Sequence, residues 1–221
     1  LLSLLGKTSF AMAQQDVRYF FNGVLIELSA EGIRLVATNG QRLATSIGRL
    51  PEESPTAQFI VPRKGVNELM RLLNDAGDTT ASLTFSANHM RVEVANAVLT
   101  TKLIDGTYPD YTRAIPTEND KMLKGNRLEI REALQRTSIL SNEKYRNVRL
   151  SMGQQKLDIH ANNPLQEEAE ESVAVEYDGE LLEIGFNVGY LLDALSTMSG
   201  EQVSVAFSNA NSACVLTDPQ D

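Results

Sequence analysis

The sequence predicts an α+β protein with antiparallel sheets, and three features carry that prediction. Apolar residues recur at helical spacing in four stretches, residues 1–13, 64–74, 128–140 and 188–198. Nearly everything else alternates between apolar and polar residues, as half-buried strands do. Turn signals such as Glu31-Gly32 and Met152-Gly153 separate neighbouring runs, so we expect successive strands to pair as hairpins.

The predicted strands are short alternating runs that follow the chain in order. In the first half they cover residues 24–28, 33–38, 43–47, 59–61, 82–86, 90–95 and 98–104. In the second half they cover residues 148–152, 157–161, 173–177, 183–186, 203–207 and 213–217. Both halves therefore mix two helices with six or seven strands.

The two halves also share local sequence in the same order, which predicts a tandem repeat. Thr8-Ser9-Phe10 corresponds to Thr137-Ser138-Ile139, and Phe85-Ser86-Ala87-Asn88 corresponds to Phe207-Ser208-Asn209-Ala210. A polar stretch containing Pro116 separates the copies. We therefore expect one domain at residues 1–110, a linker at 111–120 and a second domain at 121–221.

Charge is distributed unevenly along the 221 residues. The chain has 20 Lys and Arg against 29 Asp and Glu, for a net charge of −9, which excludes a strongly basic protein that coats nucleic acid. All 20 basic residues lie at or before Lys156, where 16 acidic residues accompany them. Residues 157–221 hold the other 13 acidic residues and no Lys or Arg, so a mildly basic stretch precedes a very acidic one.

Few residues in this chain are suited to redox or metal chemistry. A single cysteine, Cys214, excludes an internal disulfide and a structural zinc site, and the cytosol is the expected compartment. His89 and His160 are far apart and have no ligand partners at metal-binding spacing. Leu1 to Leu5 is too short for a membrane span. These observations predict no cofactor and no membrane contact. Because the chain begins without Met and stops just after a strand-like run, we also expect a fragment of a longer protein.

Familiar catalytic patterns are missing from the sequence. It contains no G-x-S-x-G, H-E-x-x-H, P-loop or G-x-G-x-x-G motif. An enzyme would need an acid–base pair assembled only in space, and most acidic residues occupy alternating positions typical of solvated faces. We therefore predict a protein without enzymatic activity.

The second helix has a polar face that could contact an anionic partner. Lys64, Asn67, Glu68 and Arg71 share that face, opposite the apolar side of the helix. The simple interpretation is the polar side of any surface helix. The functional interpretation is that equivalent helices of both repeats present basic residues to DNA phosphates without reading bases.

Several segments together resemble the bacterial DNA polymerase III β sliding clamp family. The segments occur in the family's order: VATNGQRLA (36–44), FIVPRKG (59–65), YPDYTR (108–113), ILSNEKYR (139–146), NNPLQEEAEE (162–171) and IGFNV (184–188). Thr38 to Leu43 alone would be interpreted as a hairpin turn. The similarity runs from Leu1 to about Asp218, over the family's second domain after its first strand and most of its third domain.

The resemblance implies tandem repeats of the DNA clamp fold, with antiparallel sheets outside and two helices per domain lining the DNA side. It implies a non-catalytic processivity subunit of DNA polymerase III, a homodimeric ring around duplex DNA when full length. Implied partners are the DNA polymerase III catalytic subunit, clamp-loader subunits and other proteins with clamp-binding peptides. A closed ring keeps the polymerase at high effective concentration, so contacts to DNA can be weak.

The resemblance also assigns residues to three sites. The partner-peptide pocket, between the two domains, would bind a short linear peptide that carries a Gln and a Leu or Phe anchor. The residues implied for this pocket are Phe21, Thr38, Gly40, Gln41, Arg42, Leu43, Pro109, Arg113, Ala114 and Ala213. The residues expected to face DNA are Gln15, Tyr19, Phe20, Arg63, Lys64 and Arg71. The dimer interface would use Ile139, Leu140, Glu167, Glu168, Glu170 and Glu171. Phe21 and Leu43 are equally typical of an ordinary core, and the glutamates of a solvated charge run.

Some features depart from the family pattern. Gln41 stands where many members have His, so no pH sensitivity is transferred to that rim. The resemblance stops before the family's last strand and Met-rich tail. It also does not include the family's first domain. We therefore expect weaker peptide binding than in a full-length clamp, and a monomer. The alternative function is a peptide-motif-binding adaptor module without a DNA role.

Overall fold

The computed structural model describes residues 1–50 and 55–220 and divides the chain into two compact units, Leu1–Asp110 and Tyr111–Asp221. Every strand pair among the described residues is antiparallel. The predicted α+β class with antiparallel sheets is therefore confirmed. None of the helices in these ranges is long and apolar enough to cross a membrane.

The first unit contains two helices and seven strands among its described residues. They are α1 (Leu2–Thr8), β1 (Gly23–Ser29), β2 (Gly32–Thr38), β3 (Leu43–Gly48), β4 (Ala57–Pro62), α2 (Arg63–Ala76), β5 (Ala81–Phe85), β6 (His89–Val94) and β7 (Ala97–Lys102). One sheet has the order β3-β2-β1-β4 and the other β5-β6-β7. Short 3-10 turns at Ser9–Ala11 and Tyr19–Asn22 lie between α1 and β1.

The second unit repeats this plan. Its elements are β8 (Lys121–Asn126), α3 (Arg127–Ser138), β9 (Asn147–Gly153), β10 (Lys156–Asn162), β11 (Glu168–Ala174), β12 (Glu176–Tyr177), β13 (Leu182–Asn187), α4 (Val188–Thr197), β14 (Gln202–Phe207) and β15 (Val215–Thr217). Its sheets have the orders β11-β10-β9-β13 and β12-β8-β14-β15. A strand runs directly into a helix at three places, which are β4–α2, β8–α3 and β13–α4. Because the second unit contains two of these strand–helix junctions, the smallest structural repeat is half of a unit.

Each helix packs one apolar stripe against its own unit's sheets. On α2, Val66, Leu69 and Leu73 are buried at positions i, i+3 and i+7. Burial of a leucine side chain of this kind stabilises the fold by about 2 kcal/mol. The predicted polar face of α2 is accordingly exposed at Lys64 and Arg71. Strand β2 is buried on both faces, and its Ile33, Leu35 and Ala37 lie in the helix-side core.

Three local predictions about the elements were wrong. The helix predicted over 1–13 ends at Thr8 and continues as a 3-10 turn. Strand β8 was missed because Lys124 and Gly125 disguise its alternation. The strand predicted over 173–177 is two strands, since Val175 donates its N–H to the carbonyl of Gln155 and the chain then changes sheets.

The predicted linker region is ordered against the second unit. It begins with a 3-10 turn at Tyr111–Ala114. Further along, the Asn119 amide donates to the carbonyls of Ala206 and Ala213 at 2.9 and 3.1 Å. The side chain of Asn119 thus ties this stretch to the strands at the end of the chain.

Candidate functional site

The loop between β2 and β3 is shaped by two side chains of its own. Asn39 Oδ1 accepts the N–H groups of Gln41 and Arg42, each at 3.0 Å. Thr38 Oγ1 donates to the carbonyl of Arg42 at 2.6 Å and accepts the N–H of Gly40 at 3.0 Å. Gly40 adopts a φ of 86°, where glycine is favoured. The hairpin turn expected from the sequence is therefore present, as a four-residue loop.

One face of the first unit's sheet is apolar at its centre although the helices cover the other face. Thr38 pairs with Leu43 across β2 and β3, so both side chains lie on that face. Leu25, Val36 and Ile60 share it and are almost fully buried. Phe21 is buried as well, and Leu43 is half-buried. Apolar residues with a partly exposed margin are suited to receive a hydrophobic anchor.

Four aromatic rings adjoin this face in a continuous series. Tyr19 meets Phe20 at 5.7 Å between ring centroids, Phe20 meets Phe21 at 4.7 Å, and Phe21 meets Tyr108 at 5.8 Å, all edge to face. Tyr19 is 55% exposed, whereas Phe21 and Tyr108 are buried. The series therefore joins a residue expected to face DNA to a residue expected in the pocket.

Arg18 joins Phe21 to the β2–β3 loop, and sequence reasoning did not include it among the pocket residues. Its guanidinium lies 4.7 Å from the Phe21 ring centroid and donates to the Asn39 carbonyl at 3.3 Å. A methyl group on Gly40 would lie 2.9 Å from the guanidinium nitrogens. Asp16 holds Arg18 in place, and these hydrogen bonds lower the pKa of Asp16 to about 2. Nothing in the local sequence signals these long-range contacts.

The remaining pocket residues fall into two groups. In the first unit, Gln41 and Pro109 are exposed, whereas Arg42 is half-buried and donates to the Phe10 carbonyl at 2.6 Å. The Arg42 guanidinium also lies 5.4 Å from the Phe10 ring centroid. In the second unit, three predicted residues are exposed: Arg113, Ala114 and Ala213.

The residues expected to face DNA differ in how they are engaged. Gln15 is exposed with a φ of 54°, and Phe20 is half-buried. Lys64 is exposed on α2 and has no ion-pair partner among the described residues, whereas Arg71 pairs with Glu68. Arg63 is half-buried and donates to the carbonyls of Met12 and Ala13.

Strand β11 carries three of the four glutamates expected at a dimer interface and forms an edge of its sheet. Glu171 pairs with Arg136 at 2.8 Å, which lowers the pKa of Glu171. Glu170 lies 3.6 Å from His160, and Glu167 accepts from the Asn163 amide at 2.6 Å. Glu168 is exposed. Three of these glutamates therefore have partners within the unit.

Two hydrophobic residues follow α3 at this side of the second unit. Ile139 is 78% exposed, and Leu140 is half-buried. Ile139 is the C-cap of α3, the helix that packs against the open edge strand β11.

The described residues offer little for metal chemistry. They contain no group of three or more His, Cys, Asp or Glu side chains that could hold a metal ion. Cys214 is half-buried, and burial raises the pKa of its thiol to about 11. A neutral, poorly nucleophilic thiol is expected there at physiological pH.

Comparison with known proteins matches nearly the whole chain to one family. The model of the DNA polymerase III beta subunit central domain matches residues 1–110, and that of the C-terminal domain matches residues 112–221. A beta sliding clamp of Pseudomonas putida is 50% identical over 216 residues, which cover 97% of this chain and 59% of the relative. The Escherichia coli clamp is 45% identical, with coverages of 97% and 58%.

Solved structures give the same result. The DNA polymerase III subunit beta of Pseudomonas aeruginosa is 47% identical with a TM-score of 0.94, and the match covers all of this chain and 60% of that one. A Pseudomonas aeruginosa clamp bound to griselimycin, with the same coverage, is 48% identical with a TM-score of 0.96. The chain thus spans about 59% of the length of the curated relatives it matches. It belongs to the DNA polymerase III beta subunit family and contains that family's central and C-terminal domains.

Proposed function

We propose that the chain acts as part of a DNA sliding clamp. The processivity factor would encircle duplex DNA and tether the replicative polymerase and other clamp-motif proteins in replication and repair. The observation that carries the proposal is the match of both units, over nearly the whole chain, to two consecutive clamp domains. The repeated helix-and-sheet plan of the two units supports it.

The proposed role needs no catalysis and no cofactor. A ring keeps its partners near DNA by topology, so the protein contributes effective concentration rather than chemistry. The complete protein would work in the cytoplasm as a homodimeric ring. Its partners would be duplex DNA, the DNA polymerase III catalytic subunit, clamp-loader subunits and other proteins with clamp-binding peptides.

The DNA-facing surface would be the exposed side of α2 and the residues after α1. Lys64 and Arg71 would contact phosphates, and Gln15, Tyr19 and Phe20 would meet the backbone without reading sequence. A few such contacts suit a clamp because each added phosphate contact strengthens binding and would slow sliding.

The partner-peptide pocket would be built on the apolar sheet face of the first unit. Phe21, Thr38 and Leu43 would receive the hydrophobic anchor of the peptide. Polar groups around that anchor would come from the β2–β3 loop. A buried anchor surrounded by polar contacts is the usual arrangement of a binding hot spot.

The dimer interface would use strand β11 and the residues after α3. The open edge of β11 supplies unpaired backbone groups for another strand, and Ile139 supplies apolar surface. Glu168 and Glu170 would then meet basic residues of the second chain. Glu171 would stay with Arg136 and stabilise the strand from within.

Duplex binding tests the proposal on the 221-residue chain itself. Fluorescence anisotropy with a labelled duplex should show weak, sequence-independent binding, with a Kd of about 10⁻⁴ to 10⁻⁶ M at physiological salt. The double variant Lys64→Glu with Arg71→Glu should weaken it and reduce its salt dependence. The matched control, Arg91→Glu with Lys102→Glu, makes the same charge change on the exposed face of β6 and β7. Equal loss in both double variants would contradict the proposed DNA-facing surface.

A further inference from the structure

An arginine begins one helix in each unit and donates to backbone carbonyls at or beyond the end of that unit's other helix. Arg63, the first residue of α2, donates Nη2 to the carbonyls of Met12 and Ala13 at 2.8 and 3.1 Å and Nε to Ala13 at 3.3 Å. Arg127, the first residue of α3, donates Nε to Gly200 at 2.6 Å and Nη1 to Leu195 at 3.0 Å. Leu195 lies in the last turn of α4, where carbonyls lack partners within the helix, whereas Met12, Ala13 and Gly200 lie beyond the helices. Each guanidinium therefore satisfies backbone carbonyls that would otherwise need water.

Arg63 donates its hydrogen bonds at the start of a closed loop of residues 13–22, which we name the 13–22 loop. The N–H of Ala13 donates to the carbonyl of Phe21 at 2.9 Å and closes the loop. Asn22 and Asp16 exchange two hydrogen bonds of 2.9 Å across it. The loop exposes Gln15 and Tyr19 to solvent. Its conformation therefore depends on how its first residues are held.

The Arg63 guanidinium is already engaged by these carbonyls. It is half-buried, and burial lowers its pKa, with a further decrease from the nearby cation of Arg42. Arg42 itself donates to the Phe10 carbonyl, so two cations converge on residues 10–13. A guanidinium that gives its Nε and Nη2 groups to backbone carbonyls has fewer donors left for a phosphate.

We propose that Arg63 is a positioning residue that fixes the start of the 13–22 loop and thereby the placement of Gln15 and Tyr19. It acts on DNA through these two side chains rather than through a phosphate contact of its own. The DNA part of this inference rests on the proposed function, whereas the effect on the loop does not. Arg127 makes the equivalent hydrogen bonds to carbonyls at and beyond the end of α4, in the second unit and away from this loop.

The variant Arg63→Lys distinguishes a role of Arg63 in positioning the loop from a role in contacting a phosphate. Lysine keeps the positive charge and remains a good phosphate ligand, but it lacks the planar fork that spans two carbonyls. If Arg63 positions the loop, Arg63→Lys should behave like Arg63→Gln. If Arg63 contacts phosphate, Arg63→Lys should behave like the unchanged chain.

Amide hydrogen exchange measures the effect on the loop. In Arg63→Lys and Arg63→Gln, protection of the Ala13 and Phe21 amides should fall by about tenfold or more, because local opening becomes easier. The control Arg127→Lys removes the equivalent fork in the second unit and should leave these two amides unchanged. Unchanged protection in Arg63→Lys would overturn the proposal.

Duplex binding of the same variants measures the effect on DNA. Arg63→Lys should weaken duplex binding about threefold with an unchanged slope of log K against log salt, whereas Lys64→Gln should reduce that slope by about 0.9. Binding equal to that of the unchanged chain in Arg63→Lys, with a reduced slope in Arg63→Gln, would overturn the positioning role. If no variant binds duplex, the proposed function fails, and hydrogen exchange still decides the role of Arg63 in the loop.

Discussion

The hydroxyl of Thr38 should stabilise the β2–β3 loop through its two hydrogen bonds. Thr38→Val keeps the shape of this buried side chain and removes the bond to the Arg42 carbonyl at 2.6 Å and the bond from the Gly40 N–H at 3.0 Å. Each such bond contributes about 1 kcal/mol net, so the free energy of unfolding should fall by about 2 kcal/mol. With an m-value of about 1.5 kcal/mol per M of urea, the midpoint should fall by about 1.3 M.

Urea unfolding followed by circular dichroism measures this change, and Thr45→Val is the matched control. Thr45 lies on the same face of the neighbouring strand but is exposed, and no hydrogen bond of its hydroxyl is found among the described residues. Its replacement should change the free energy of unfolding by about 0.5 kcal/mol or less. Equal effects of Thr38→Val and Thr45→Val would refute the role assigned to the Thr38 hydroxyl.

Two further predictions concern backbone strain and charge. Gln154 and Gln155 both adopt positive φ. Of these two side chains, only that of Gln155 forms hydrogen bonds among the described residues, and they join it to Tyr177 and Asp178. Gln154→Gly should therefore stabilise the chain by about 0.5–1 kcal/mol, and Gln155→Gly should destabilise it by about 1–2 kcal/mol. Equal changes of the two variants in urea unfolding, or a destabilising Gln154→Gly, would contradict this. The pKa of Asp16 is below its ordinary value, so its contribution to stability is present above pH 4 and lost as pH falls through about 2. An NMR titration of the Asp16 carboxyl should show a midpoint near 2 that rises in Arg18→Gln, and an unchanged midpoint would exclude Arg18 as the cause.

Elements with strong periodicity could be predicted from the sequence, and elements without it could not. Helix α2 was recognised because Val66, Leu69 and Leu73 mark one side. Most of strand β11 was not predicted, because an edge strand with glutamates at exposed positions lacks the usual apolar signal. Only the resemblance to a known family singled out its glutamates, as residues expected at a dimer interface.

The contacts within the candidate site depend on residues far apart in the sequence. Arg63 bonds to residues about 50 positions earlier, and Arg42 bonds to Phe10, 32 positions earlier. The family resemblance placed Arg63 beside Lys64 among the residues expected to face DNA. The structure gives its guanidinium backbone partners that no local pattern could reveal.

Peptide binding by the 221-residue chain tests most directly the partner-peptide pocket through which the proposed clamp would tether its partners. A fluorescent peptide carrying a Gln and a Leu or Phe anchor is titrated against the chain, Leu43→Asp and Ile47→Asp. Leu43 and Ile47 lie on the same face of β3, but only Leu43 belongs to the proposed pocket. The account predicts saturable binding that Leu43→Asp abolishes and Ile47→Asp retains, with circular dichroism confirming that both variants fold. No saturable binding, or equal binding by both variants, would contradict it.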